Sequence, residues 1–231
     1  MNMKLVLFDI DGTLMDAGGA GGKSLNDAFC ELFSIKDAFR DIRFDGKTDL
    51  RIFKEGLKYH NLTNGNGILD AIGEQYLRRL KLEIDNDNRH IKPGIAALIE
   101  RLLGKHGIGL LTGNLRAGAQ IKLSSVGLWQ LFDGGGAFGD AHEDRNDLLP
   151  IAVEDFYKNT GKQFPFSQCV IIGDTPKDVG AGKAHGAFTI AVATGPYSVV
   201  ELSETGADAV FDDLSDTDAV MAVINGQTVS N

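Results

Sequence analysis

Two aspartates, Asp9 and Asp11, stand directly behind a short apolar run, Leu5-Val6-Leu7-Phe8, and lead into Gly12-Thr13. A buried strand that ends in carboxylates places charge where charge is costly, unless a metal ion or a reaction makes use of it. Similar placements recur. Thr112 follows the apolar run 107–111 and precedes Gly113 and Asn114; Asp174 follows the run 169–172 after Gly173, with Asp178 one helical turn beyond. Acids gathered at one mouth need a cation, and hard carboxylate oxygens suit Mg²⁺. Each position also has an ordinary structural role. Asp11-Gly12 can be a turn, Asn114 can cap a helix, and Thr175-Pro176-Lys177-Asp178 reads as N-cap, proline at the first helical position and an acid at the third. What favours a site is the coincidence of these residues at successive strand ends.

The elements that must bring them together are legible as short apolar runs, 4–8, 107–111, 169–172, 188–192 and 209–211, separated by helical patterns. That alternation predicts an α/β fold, a Rossmann-like three-layer core with a central parallel sheet. In such a sheet, ligands gather beyond the carboxyl ends of the strands. Residues 16–91 carry three stretches of helical spacing, 24–33, 49–60 and 68–82, and predict an inserted helical domain between core segments 1–15 and 92–231. Gly18-Gly19-Ala20-Gly21-Gly22 reads as a flexible connector on one side of it, with Ser24 capping the first helix, and Asp85-Asn86-Asp87-Asn88 as a polar turn on the other.

A formal charge of −9 and a pI near 5.0 argue against nucleic acid or an anionic membrane as partner, so an anionic ligand needs a local cationic site. Cys30 and Cys169 read as buried small hydrophobes, and the five histidines show no metal-ligand spacing. The opening residues 1–8 are too short an apolar run for a leader, and no stretch approaches membrane-spanning length; the expectation is a soluble, cytoplasmic protein. Oligomeric state is not legible.

A second phosphate signature competes with the first. Ala17-Gly18-Gly19-Ala20-Gly21-Gly22-Lys23-Ser24 approaches a P-loop, and Val170-Ile171-Ile172-Gly173-Asp174 approaches a Walker B strand. A P-loop runs straight from strand to helix, however, whereas here residues 9–16 intervene with three acids that repel a triphosphate.

Phe8-Asp9-Ile10-Asp11-Gly12-Thr13-Leu14, Leu111-Thr112-Gly113-Asn114 and Ile172-Gly173-Asp174-Thr175-Pro176-Lys177-Asp178 resemble motifs one, two and four of the haloacid dehalogenase superfamily, in order. The resemblance covers essentially the whole chain and looks closest to the phosphoglycolate phosphatase-like branch, with residues 16–91 in the place of a helical cap. It implies a Mg²⁺-dependent phosphatase acting on a small phosphorylated metabolite. Asp9 is then the nucleophile, Asp11 the general acid and base, and Thr112, Gly113 and Asn114 hold the phosphoryl group. Mg²⁺ would rest on Asp9, the Asp11 carbonyl, Asp174 and Asp178. Arg145, in Asp144-Arg145-Asn146-Asp147, takes the place of the third motif's lysine, a change that keeps the charge and adds bidentate reach; its alternative is a solvated arginine in a charged loop. Lys47, in Asp45-Gly46-Lys47-Thr48-Asp49, stands in the cap's specificity loop, with Arg43, Arg51 and Lys54 as lesser candidates. A phosphomutase of the β-phosphoglucomutase type shares this chemistry. A noncatalytic phosphoryl or metal sensor is the alternative from another class, although it has no use for Asp11 as an acid.

Overall fold

The computed structural model describes residues 3–227; Met1 and Asn2, the start of the stretch read for a leader, lie outside the described residues. Strand β1 (Leu5–Phe8) is followed by a two-residue strand, β2 (Met15–Asp16), and three helices, α1 (Ala20–Phe33), α2 (Asp49–Tyr59) and α3 (Ile68–Glu83). Then come β3 (His90–Ile91), α4 (Ile95–Leu102), β4 (Gly107–Leu111), α5 (Arg116–Ser125), β5 (Gly136–Ala137) and α6 (Leu148–Thr160). The chain closes with β6 (Cys169–Gly173), α7 (Pro176–Lys183), β7 (Phe188–Val192), α8 (Val199–Ser203), β8 (Ala209–Phe211) and α9 (Thr217–Ile224).

Six strands form one parallel sheet in the order β5-β4-β1-β6-β7-β8. Its inner strands are apolar on both faces because helices cover both. In β1, Val6 and Phe8 pack with α4, α5 and α9, while Leu5 and Leu7 pack with α6 and α7. Each such fully buried side chain contributes roughly 1.5–3 kcal/mol. Chain order reverses between β1 and β6, and the crevice beyond their carboxyl ends is where this topology opens a ligand site.

Helices α1 to α3 share the first of these apolar clusters: Ile72 and Leu80 of α3 belong to the same continuous packing as Ala119 and Leu123 of α5. The segments on either side of the three helices pair as an antiparallel ribbon, Met15 with Ile91 and Asp16 with His90. Asn86 ties them further by donating from Nδ2 to the Ala17 carbonyl at 3.1 Å.

The glycine-rich connector is a correction to the expectation. Ala20, Gly21 and Gly22 form the first turn of α1, which begins at Gly19 in a left-handed conformation (φ 81°), so Ser24 lies inside the helix, fully buried, rather than capping it. Packing overrides the weak helix propensity of glycine here: Gly22 presses against Phe44, and Gly21 sits beside Lys122 and Tyr76. The N-cap of α5 is Leu115, not Asn114, whose side chain is used elsewhere. Strands β2, β3 and β5, two residues each, are too short to leave a periodic signal.

Candidate active site

Strand β1 carries Asp9 into the crevice, and the ladder continues one residue past the strand, the Asp9 N–H donating to the Ile172 carbonyl at 3.0 Å. The chain then folds into a tight turn in which the N–H groups of Leu14 and Met15 both donate to the Ile10 carbonyl, at 2.9 and 3.1 Å. Gly12 makes this possible. Its φ is +82°, and a Cβ there would collide with the Asp174 carboxylate, so the turn and the end of β6 can close on each other only with glycine between them.

Closure assembles a cluster of acids. Ligand oxygens of Asp9, Asp174 and Asp178 all lie within 4.8 Å of one another, and all three residues are buried. Burial pushes the Asp9 carboxyl up to about 6, with Arg145 opposing and Asp178 and Asp11 adding to the rise. Burial likewise pushes Asp174 up to about 8, reinforced by Asp9 and Asp178, despite the Thr13 hydroxyl that donates to its Oδ1 at 3.1 Å. Three carboxylates this close are held ionised only by positive charge. An oxygen-only set of this kind fits a hard dication with water filling the remaining positions.

Arg145 supplies part of that charge. It opens α6 from a 3-10 turn, Arg145–Asp147, and is 5 % exposed, which excludes the solvated alternative. Its Nη2 donates to the Leu111 carbonyl at 3.3 Å and to Asp178 Oδ1 and makes an ion pair with Asp9 Oδ1 at 2.8 Å, while Nε is a buried donor with no acceptor among the described residues. Burial disfavours the charged guanidinium, but Asp178 and Asp9 more than offset this and hold its proton tightly. Asp178 has two duties. Besides meeting Arg145 it closes a capping box on α7, accepting from the Thr175 N–H at 3.1 Å and from its hydroxyl at 2.7 Å.

On the other flank, Thr112 Oγ1 accepts from Asn114 Nδ2 at 2.9 Å and from the Asn114 N–H at 3.3 Å, which leaves its own O–H to donate. Asn114 Nδ2 also donates to Asp11 Oδ2 at 2.8 Å, and Lys122 Nζ reaches that same oxygen at 2.6 Å. Thr112 is fully buried.

Asp9, Asp11, Asn114, Lys122, Arg145 and Asp174 border a cavity of about 440 Å³ between the sheet's carboxyl edge and helices α1 to α3, whereas Thr112 and Asp178, both buried, do not line it. Asp9, Asp11, Asp16, Asp45, Asp49 and Asp174 face Lys47, Lys92, Lys122 and Arg145 across it. Carboxylates outnumber cations, so an anion can enter only with added positive charge. Gly113 and Asn114 lie in the cavity wall. So does Lys47, but its ammonium donates to Glu55 Oε2 at 2.5 Å. Arg43 pairs with Asp45, Arg51 with Glu55 and Lys54 with Glu143, and none of these three cations lines the cavity. Lys23 points away altogether, to Glu83 Oε2 at 2.5 Å, so the P-loop-like segment presents no lysine to the cavity.

The loop that carries Lys47 is docked on the strand ends. Gly46, at φ +63°, packs so closely on the start of α7 that a Cβ would stand 2.6 Å from Thr175 Oγ1. The Asp49 N–H donates to the Gly113 carbonyl at 2.7 Å, and Asp49 Oδ2 accepts from the Leu115 N–H at 2.8 Å. Burial pushes the Asp49 carboxyl up to about 6, although Lys122 and the Leu115 N–H pull the other way.

Sequence reasoning missed Lys122, Tyr76 and Asp49. The signal for Lys122 was present: it falls on the buried stripe of α5 with Gly118, Ala119 and Leu123, where a lysine is unusual unless paired.

The PpaX protein of Clostridium perfringens, which carries a pyrophosphatase name, is 26 % identical over 212 residues, spanning 91 % of this chain and 93 % of its own. A hydrolase of Pseudomonas syringae superposes with a TM-score of 0.69 at 21 % identity, covering 98 % of this chain and 100 % of that one. CbbY of Rhodobacter sphaeroides in complex with phosphate reaches 0.73 at 19 % identity, covering 93 % and 96 %. The matching family description, haloacid dehalogenase-like hydrolase, extends over residues 3–186. That stretch runs from β1 to the end of α7 and takes in the whole acid cluster with the arginine that balances it, and the chain belongs to the haloacid dehalogenase-like hydrolases.

Proposed function

We propose that this hydrolase is a Mg²⁺-dependent phosphatase of small phosphomonoesters, working through a phosphoryl group carried transiently on Asp9. The observation that carries the reading is Asp9 itself: a buried carboxylate at the sheet's switch point, paired with Arg145 and clustered with Asp174 and Asp178. Asp9, Asp174, Asp178 and the Asp11 carbonyl would hold Mg²⁺, which supplies the charge that lets an anionic nucleophile meet an anionic ester.

In this reading one Asp9 oxygen attacks phosphorus and the bond to the leaving oxygen breaks, with Asp11 delivering a proton to that oxygen. Asp11 then takes a proton from water as the water attacks the same phosphorus and frees Asp9. Arg145 neutralises charge on the phosphoryl oxygens, and its unfilled Nε is a donor they would satisfy. The Thr112 hydroxyl and the backbone at Gly113 and Asn114 orient the group. Residues 16–91 act as a cap over the core segments 1–15 and 92–231, excluding water and contacting the leaving group, with Lys47 at the cavity wall. The phosphate held by CbbY, and the xylulose-(1,5)bisphosphate held by a substituted form of that protein, support a phosphorylated ligand for this site.

The test is mass spectrometry on Asp11→Asn protein mixed with Mg²⁺ and 4-nitrophenyl phosphate, an ester whose leaving group departs without being protonated. Without its acid and base the phosphorylated chain should accumulate, and adding Asp9→Asn should abolish it with the fold retained. Turnover that survives Asp9→Asn but is lost in Lys23→Ala overturns the reading in favour of the P-loop segment.

A further inference from the structure

The buried cation the proposed reaction leaves unused is Lys122, whose ammonium lies where α5 packs against α3. It donates to Asp11 Oδ2 at 2.6 Å and to Asn114 Oδ1 at 2.6 Å, and Asn114 Nδ2 adds a second donor to the same Asp11 oxygen. Asp11 Oδ1, in contrast, has no hydrogen-bond partner among the described residues, and the Asp11 side chain is 45 % exposed in the cavity. The carboxylate is therefore clamped on one oxygen and open on the other. Burial disfavours the ammonium, but Asp11, Tyr76 and Asp49, which face it from the β1 turn, α3 and α2, outweigh that and raise its pKa above the ordinary lysine value. A buried lysine on an apolar helix stripe costs stability unless its charge is used.

We infer that Lys122 is a positioning residue for the acid and base of the reaction: by pinning Asp11 Oδ2 it turns Oδ1 toward the leaving oxygen and makes that atom the one that carries the proton. This rests on the reading of Asp11 above. The proton passes from Asp11 Oδ1 to the leaving oxygen as the P–O bond breaks, and Lys122 keeps all its own protons.

The experiment compares kcat/KM, which reports the first transfer, on an alkyl phosphate and on 4-nitrophenyl phosphate, whose leaving group departs without being protonated. Asp11→Asn should lower the alkyl-to-aryl ratio by at least about a hundredfold, the usual scale of general acid catalysis. Lys122→Met should lower it by at least about tenfold, with Lys122→Arg restoring part, and should lower it no further in the Asp11→Asn background. Because the ratio is taken within one sample, partial unfolding of a variant cancels. Equal loss on both esters, or no loss, in Lys122→Met overturns the inference, as does a further drop in the double variant. If Asp11→Asn itself shows no such selectivity, the fault lies with the role given to Asp11.

Discussion

Arg145 stands 2.8 Å from Asp9 and reaches Asp178 with the same nitrogen, so one buried cation joins the strand-end acid to the residue that closes the capping box of α7. The chemistry of β1 and the start of α7 are thereby linked through a single side chain.

Replacing that cation should be costly in two ways. Arg145→Met leaves three clustered carboxylates without their buried partner, a loss of about 3–5 kcal/mol in the metal-free protein, and kcat/KM should fall at least about a hundredfold. Arg145→Lys should recover part of the activity, having charge without the bidentate fork. Denaturant melts and steady-state kinetics on both variants check this.

The raised carboxyls of Asp9 and Asp174 predict a pH dependence with a definite sign. Unfolded, both titrate at their ordinary value of 3.8; folded, they hold their protons to about 6 and about 8. Between those limits the native state binds more protons than the unfolded one, so metal-free stability falls as pH rises from about 4 to about 8. Mg²⁺ requires the deprotonated form, so it should bind with proton release and raise Tm more at about pH 8 than at about pH 6. Thermal melts with EDTA and with Mg²⁺ at the two pH values test it; an equal shift at both refutes the linkage.

Gly46→Ala places a Cβ 2.6 Å from Thr175 Oγ1 in a left-handed backbone, with a conformational cost of about 1–2 kcal/mol. The loop 45–49 should lift from the strand ends, and kcat/KM should fall roughly ten- to a hundredfold from misplacement alone. A mutant with unchanged kinetics would show that this loop does not form part of the reactive arrangement.

Lys47 is the cavity-wall residue that the proposed function sets against the leaving group. Its ammonium is held by Glu55 at 2.5 Å in the cavity wall, so Lys47→Ala should reorder the rates across a panel of glycolate, sugar and nucleotide phosphates while sparing the phosphoryl chemistry. ³¹P NMR of the same reactions separates transfer to water from transfer to a second sugar hydroxyl, the outcome a phosphomutase would give. An unchanged ranking removes Lys47 from substrate contact.

Much of this site could be read in the sequence because each residue sits just past an apolar run: Asp9 and Asp11 after β1, Thr112 after β4, Asp174 after β6. Arg145 was legible only through the resemblance to the family's third motif, and its burial between Asp9 and Asp178 settles which of two environments it occupies. Lys122 shows in the sequence only as a lysine on an otherwise small and apolar helix stripe; its role was not legible, because its partner Asp11 lies 111 residues away and no local rule connects a mid-helix lysine to a strand-end turn. The start of α1 misled for the opposite reason. Its glycines favour flexibility locally, and only the approach of Phe44 and of Lys122 with Tyr76 shows why small residues in a helix are wanted there.

The mutual hydrogen bonds of Asp49 with the Gly113 carbonyl and the Leu115 N–H also set the terms on which this fold can be recombined. They stitch the helical segment to the very loop that follows Thr112, and a Cβ on Gly113 would collide with the Lys47 carbonyl. A chimera that exchanges residues 16–91 for those of a relative must therefore inherit both halves of the seam, an acid at position 49 and a glycine at position 113. The helical segment of this chain is transplantable only together with a piece of the strand-end loop it docks on.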